Sequence, residues 1–253
     1  MDGEPLADPV AEARRLISGA AEQGLVIRAL GGVAVYLQAP EGRPRLPRRV
    51  KDIDLAVSRS GGRATAGLLK TAGYLADEMF NALRGSRRLL YHDLRNGRHL
   101  DVFVGEFSMC HELPLTGRLD REPLTVPREE LLLSKLQIVK LTENDQRDIY
   151  NLLIHHEVSE DGPAGIASSF VAALCARDWG LWRTCQLNIE RSLDNLEPSG
   201  LEPAERKLTS ERLQMLRDRM EAEPKSRRWR LRSQVGERVR WYQEPEEEQP
   251  GGE

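Results

Sequence analysis

The chain has 253 residues, of which 40% are hydrophobic and 30% are charged, and its formal net charge is −3. These values are typical of a globular protein with enough chain to bury a core. No apolar run approaches the length of a membrane span, and the acidic start MDGEPLADPV lacks the basic residues of a secretory signal. We therefore expect a cytoplasmic protein without a membrane segment.

The cysteines carry little functional information. Cys110, Cys175 and Cys185 are odd in number and show no CxxC spacing. We interpret them as reduced thiols and expect neither a disulfide framework nor a structural zinc site.

The first half of the chain, residues 10–125, alternates between strand-like and helix-like segments. The run LVIRAL predicts a strand that ends at Gly31–Gly32, DIDLAV predicts another strand, and ATAGLLKTAGY predicts a helix that Gly73 ends. Asn96–Gly97 lies between the β-prone runs RRLLYHDL and RHLDVFV, which predicts a hairpin. The pattern indicates a mixed α/β sheet of four or five strands.

The second half, residues 126–242, looks wholly helical. Thr142 and Asp145 predict a capping box before a helix, and residues 204–222 predict a charged amphipathic helix. We expect an α+β fold with an α/β domain at 1–125, a helical domain at 126–242 and a disordered acidic tail at 243–253.

Two aspartates interrupt the strand DIDLAV. Asp52 and Asp54 lie two residues apart, so both carboxylates point to one face of the strand while apolar residues occupy the other. Like charges at this spacing are costly when half-buried, and a divalent cation would offset that cost. A solvated strand end explains the pair equally well.

A third aspartate, Asp101, interrupts the later strand HLDVFV. Alone, it would be read as an edge or surface residue. Together with a Gly-Gly turn and a D-x-D strand, it predicts three carboxylates that converge on neighbouring strands. Such a cluster suits a two-metal site for phosphoryl transfer.

These motifs, LGGVAVYLQ, VKDIDLAV and HLDVFV, resemble the nucleotidyltransferase superfamily of DNA polymerase β. More narrowly, the chain resembles the minimal nucleotidyltransferases that include the AbiEii-type toxins of toxin–antitoxin systems. The likeness covers residues 25–155 and extends to the runs LLLSKLQIVKL and QRDIYNLL. It implies a nucleotidyltransferase-like sheet with flanking helices, an NTP substrate and an antitoxin protein as a partner.

The resemblance also implies roles for individual residues. Gly31 and Gly32 would contact the phosphates of the nucleotide, and Asp52, Asp54 and Asp101 would hold two Mg²⁺ ions. A plain strand-to-helix turn is the alternative explanation of the two glycines.

The helical half supplies two further residues by the same resemblance. Lys135 would approach the triphosphate, and Asp148 would organise that lysine or the base. The alternative for Lys135 is a lysine that extends from an apolar helix face to solvent. The alternative for Asp148 is an aspartate that interacts favourably with the helix dipole. Asn151 stands where the AbiEii-type pattern often has a second aspartate, and Gly32 stands where many members have serine.

Two basic segments admit a binding role. The loop at residues 43–51 holds Arg43, Arg45, Arg48, Arg49 and Lys51. It is either a solvated loop whose charges offset Asp52 and Asp54 or a mobile flap that meets triphosphate or RNA.

The second segment, KSRRWRLRSQVGERVRWY (225–242), interleaves arginines with aromatic residues. Such a pattern suits single-stranded RNA. The residues that would bind it are Arg227, Arg228, Trp229, Arg230 and Arg232. The alternative is that Trp229, Leu231 and Val235 pack this segment back onto the protein.

Two functions of different classes follow. The first is a Mg²⁺-dependent nucleotidyltransferase that transfers NMP from an NTP to an RNA, protein or small-molecule acceptor, as a toxin of a toxin–antitoxin pair would. The second is a catalytically inactive nucleotidyltransferase-fold module that binds a nucleotide, nucleic acid or a partner protein.

Overall fold

A five-stranded mixed sheet forms the centre of the first half. The computed structural model describes residues 3–162 and 165–244. The strands of the sheet are β1 (Ile27–Leu30), β2 (Ile53–Val57), β3 (Leu75–Ala76), β4 (Arg88–Asp93) and β5 (Arg98–Val104). Their order is β1-β2-β5-β4-β3, with β2 and β5 parallel and the other neighbours antiparallel. The mixed sheet of four or five strands is therefore confirmed.

The β4–β5 hairpin fixes the register on which the site depends. Gly97 in its turn has a φ of +61°, a conformation that glycine adopts at little cost. From that turn the pairing places Leu90 opposite Asp101. On its other side β5 pairs in parallel with β2, where Asp101 is the partner of Asp54.

Helices cover the sheet and a small hairpin follows it. The first-half helices are α1 (Pro9–Ala21), α2 (Gly31–Gln38), α3 (Gly62–Thr71) and α4 (Glu78–Arg84), and the hairpin is β6 (Glu106–Ser108) with β7 (Glu112–Pro114). Helix α2 begins at the residue after β1 and packs on β2. Its N-terminus therefore lies beside the aspartates of β2.

The second half contributes six helices among the described residues. They are α5 (Arg128–Leu136), α6 (Glu143–His155), α7 (Ser168–Arg177), α8 (Trp179–Asp194), α9 (Pro203–Ala222) and α10 (Arg227–Val235). The predicted capping box is present at the start of α6: the Asp145 N–H donates to Thr142 Oγ1, and the Thr142 N–H donates to Asp145 Oδ2, each over 3.2 Å.

The prediction of a wholly helical second half is wrong at one place. Strands β8 (Val158–Ser159) and β9 (Ile166–Ala167) form a short parallel pair. Gly165 permits this pairing, because a Cβ there would overlap the carbonyl oxygen of Glu157. Helical periodicity carries no signal for such close approach of two backbones.

One cluster of buried apolar residues runs through both halves, from Leu16 in α1 to Leu216 in α9. Helices α5 and α6 both pack against α2, which itself packs on β2, the strand that carries Asp54. No helix in the described part of the chain is long and apolar enough to cross a lipid bilayer. Most of the predicted disordered tail, residues 245–253, lies outside the described residues.

Candidate functional site

The two glycines at the start of α2 allow close approach from two directions. Gly31 has a φ of +62°, and a Cβ on it would overlap Oδ2 of Asp54. A Cβ on Gly32 would overlap Nη2 of Arg48. The turn thus places backbone directly against one acidic and one basic side chain, a closeness that a residue with a side chain would prevent.

Asp54 and Asp101 lie side by side on the parallel strands β2 and β5. Burial raises the pKa of Asp54 to about 6, and the neighbouring charge of Asp101 adds to the effect. Asp52 is exposed at the start of β2, and its Oδ1 accepts a hydrogen bond of 3.1 Å from the backbone N–H of His99. The three predicted aspartates are therefore neighbours, with Asp52 at the rim.

An arginine on β4 neutralises one of these carboxylates. Arg88 Nε donates to Asp101 Oδ1 over 2.6 Å, and both side chains are largely buried. The guanidinium also lies over the rings of Phe80 and Phe103, 5.6 and 5.4 Å from their centroids. Arg88 thus supplies Asp101 with a resident positive charge.

The carboxylates have the chemistry that a hard divalent cation requires. Mg²⁺ prefers carboxylate oxygens, and no hydrogen bond or ion pair joins Asp54 to another residue in the described part of the chain. Among residues 3–162 and 165–244, however, no three His, Cys, Asp or Glu side chains are already gathered closely enough to hold a metal. The donors suit Mg²⁺, but one of them is engaged by Arg88.

Asp148 contacts two cations. It is fully buried on α6, and its Oδ2 lies 2.9 Å from Lys135 Nζ. Its two oxygens also accept hydrogen bonds from Arg48, 2.8 Å from Nε and 2.7 Å from Nη2. Burial would raise the pKa of Asp148, but the Arg48 hydrogen bond and the Lys135 charge outweigh burial and lower it. Asp148 therefore stays ionised.

Lys135 is buried on α5 and keeps its charge. Burial lowers the pKa of its amine, but the carboxylates of Asp148 and Asp145 outweigh burial, so the pKa is raised. The Asp145 carboxylate lies 3.3 Å from Nζ. The predicted partnership of Lys135 with Asp148 is thus present as a direct contact.

A cavity of about 460 Å³, the basic cavity, opens between these groups. Five cations and two carboxylates line it, and three of the cations, Arg48, Lys135 and Arg147, are paired with carboxylates outside this lining. The lining residues are Gly32, Arg48, Arg49, Val50, Lys51, Asp52, Asp54, Lys135, Asn144 and Arg147. Four predicted site residues from three separate motifs (Gly32, Asp52 with Asp54, and Lys135) therefore meet in one cavity.

A second cavity of about 270 Å³, the aromatic cavity, shares Asp54 and Lys135 with the basic cavity. Its apolar wall includes Phe103, Phe107 and Met109. The two cavities thus give the site one wall rich in cations and one wall rich in apolar side chains.

The basic loop is fastened to the protein. Arg45 pairs with Glu205 on α9 at 2.7 Å, and Arg48 pairs with Asp148. Asn151 donates to the Leu46 carbonyl and accepts from its N–H, over 2.9 and 2.8 Å. The charges of Arg45 and Arg48 therefore do not offset Asp52 and Asp54, and these hydrogen bonds hold the loop in place.

The C-terminal aromatic residues pack inward. The Trp229 ring lies 5.2 Å from that of Trp182, and Trp241 Nε1 donates to Thr184 Oγ1 over 3.0 Å. Leu231 and Val235, which the packing alternative placed inward, are 67% and 41% exposed.

The arginines of α10 divide into two sets. Arg232 stacks over Trp179 and donates to two backbone carbonyls, and Arg230 donates to the Lys225 carbonyl. Arg227 and Arg228 point to solvent. Of the residues named as an RNA surface, Arg227, Arg228 and Arg230 are exposed, whereas Trp229 and Arg232 are half-buried.

Sequence reasoning missed the local partners of the site. The contact of Arg88 with Asp101 could have been predicted from the Asn96–Gly97 hairpin. In that hairpin Leu90 pairs with Asp101, and Arg88 lies two residues from Leu90, so its side chain is on the same face of the sheet as Asp101. The contact of Arg48 with Asp148 spans 100 residues and carries no local signal.

No protein-family model matches the chain, and no curated protein matches it at a significant level. The chemistry of the site must therefore be inferred from its residues.

Proposed function

We propose that this chain is a divalent-cation-dependent nucleotidyltransferase of the DNA polymerase β type, similar to the AbiEii-type toxins. It transfers NMP from an NTP to an acceptor hydroxyl and releases pyrophosphate. The observation that carries the proposal is the basic cavity, in which Gly32, Asp52, Asp54 and Lys135 line one space. They were assigned to the same site from three separate motifs: the Gly-Gly turn, the D-x-D strand and the helix that carries Lys135.

The charge distribution supports a nucleotide as the substrate. A triphosphate is polyanionic, and five cations face the basic cavity. Lys135 would bind the triphosphate, and Gly32 at the N-terminus of α2 lines the same cavity. The aromatic cavity, which shares Asp54 and Lys135 with the basic cavity, offers an apolar surface for the nucleoside or the acceptor.

Asp54 and Asp101, with Asp52 at the rim, are the residues that would hold Mg²⁺. A bound Mg²⁺ would polarise the transferring phosphoryl group and screen its charge. The raised pKa of Asp54 supports this assignment, because buried and mutually repelling carboxylates gain most from a cation. Asp148 would keep Lys135 charged and oriented toward the cavity.

The acceptor class is proposed on weaker surface evidence. Arg227 and Arg228 are exposed on α10 and favour an RNA acceptor over a protein or a small molecule. A toxin role further predicts that induced expression arrests growth and that co-expression of an antitoxin protein restores it.

The proposal is tested by incubating purified protein with total RNA, Mg²⁺ and each α-labelled NTP in turn. We expect incorporation with at least one NTP and its loss in Asp52→Ala and Asp54→Ala. Asp218→Asn, whose side chain is 75% exposed on α9, is the matched control and should incorporate label normally. Undiminished incorporation by Asp54→Ala would exclude the assigned role.

A second function is favoured by one observation, the engagement of Asp101 by Arg88. Arg88 occupies a carboxylate that would otherwise bind Mg²⁺, as expected of a module that binds nucleotide without turnover. Calorimetry with Mg²⁺ and each NTP, followed by an assay of pyrophosphate release, separates the two. Binding without release on RNA, protein and small-molecule acceptors would favour the module.

A further inference from the structure

Arg48 reaches the basic cavity from a loop whose backbone is fixed at that residue. Its N–H donates to Tyr36 Oη over 2.9 Å, and its carbonyl accepts from the same hydroxyl. Asn151 fixes Leu46 two residues earlier. Two helices, α2 and α6, therefore set the position of Arg48.

The Arg48 guanidinium has donors to spare. Within the described residues, three of its five N–H groups donate, two to Asp148 and one to the Arg49 carbonyl. The side chain is 13% exposed and lines the basic cavity. Its remaining N–H groups are available to an anion in that cavity.

Gly32 leaves the space that the guanidinium occupies. A Cβ at position 32 would overlap Nη2 of Arg48, which is the far end of a flexible side chain. The φ of Gly32 is outside the left-handed region, so the backbone there accepts alanine. An alanine at 32 would thus displace the guanidinium without unfolding the turn.

We infer that Arg48 and Lys135, which share the carboxylate of Asp148, form a two-cation clamp for the distal phosphates of the nucleotide. Arg48 can contribute to this clamp only because position 32 is a glycine, whose missing side chain leaves room for the guanidinium. The inference rests on the proposed function for the identity of the nucleotide, but the clamp itself binds any polyphosphate. Arg48 is then a binding residue supplied by the loop, and Asp148 positions both cations.

The test is calorimetric titration of the full chain with inorganic tripolyphosphate in the absence of metal. We expect Arg48→Met to weaken binding at least tenfold and Gly32→Ala to weaken it about fivefold. The double variant should bind no more weakly than Arg48→Met alone, because alanine at 32 acts only through Arg48. Arg45→Met, which removes a neighbouring loop arginine that faces Glu205, should bind within twofold of the wild type.

Three results would overturn the clamp. The wild type could fail to bind tripolyphosphate, Arg48→Met could bind it as tightly as the wild type, or the loss of affinity in the double variant could equal the product of the two single losses. Gly32→Ala retains the positive charge of Arg48 and only shifts its guanidinium, so it decides the question if Arg48→Met does not fold. The proposed function fails separately. A wild type that binds tripolyphosphate in the expected pattern but never releases pyrophosphate retains the clamp and loses the transferase.

Discussion

Arg88 and Asp101 form a buried ion pair, with 2.6 Å between Nε and Oδ1, and Asp101 is the register partner of Asp54 across two parallel strands. The arginine and a divalent cation would therefore serve the same carboxylate. Without the metal, Arg88 forms an ion pair with Asp101, while Asp54 makes no ion pair among the described residues and feels Lys135 and Arg88 only at longer range.

Without the Arg88 guanidinium, Asp101 should depend on Mg²⁺ to offset its charge. Arg88→Met leaves the Asp101 charge without this partner and should lower the free energy of unfolding by about 3 kcal/mol without metal. Mg²⁺ should then restore more thermal stability to this variant than to the wild type. Arg87→Met, a neighbour that is 60% exposed, is the control. If Mg²⁺ shifts Tm equally in all three proteins, Asp101 is not a ligand.

Neutralising Asp54 should stabilise the metal-free protein. Its pKa is raised to about 6, so the folded state holds a proton that the unfolded state releases near pH 4, and stability falls as pH rises through this window. Asp54→Asn removes this loss and should raise the free energy of unfolding at pH 7.5 by up to about 3 kcal/mol. The gain should vanish near pH 4. Urea unfolding with EDTA measures it, and a less stable variant at pH 7.5 would contradict the assignment.

The loop at 43–51 should become accessible when its amide anchor is removed. Asn151→Ala breaks two hydrogen bonds to Leu46 and should cost about 1–3 kcal/mol. Brief trypsin digestion followed by mass spectrometry should then show cleavage within residues 43–51 before any other site. Asn195→Ala, at an exposed helix end, is the matched control. Equal cleavage rates in both variants would mean that Asn151 does not hold the loop.

His111 should make the fold sensitive to mild acid. Burial lowers its pKa to about 4, and its ring nitrogen lies 2.8 Å from Thr184 Oγ1. In the unfolded state this histidine takes up a proton near pH 6.5, whereas in the folded state it stays neutral until about pH 4. The free energy of unfolding therefore falls as pH drops from 6.5 toward 4, by up to about 3 kcal/mol. His111→Gln should flatten this decline in urea titrations between pH 4.5 and 7. An unchanged slope would assign the decline to other groups.

Local patterns predicted the parts of the fold that local physics determines. The Asn96–Gly97 turn, the capping box at Thr142 and the alternation around Asp54 each follow from neighbouring residues. The turn sets the position of Asp101 on β5, which pairs with β2 and brings Asp101 beside Asp54. Predictions failed where distant segments meet. Neither the β8–β9 pair nor the anchoring of the loop by Asn151 can be read from the residues around it, because each depends on packing between distant segments.

The central claim is that nucleotidyl transfer occurs at the paired aspartates of β2 and β5. Single-turnover release of pyrophosphate, measured with the NTP and acceptor that the screen identifies, tests it most directly. We predict that Asp54→Asn and Asp101→Asn each slow release at least 100-fold, while Asp218→Asn matches the wild type. Release at the wild-type rate by either of the first two variants would contradict the account.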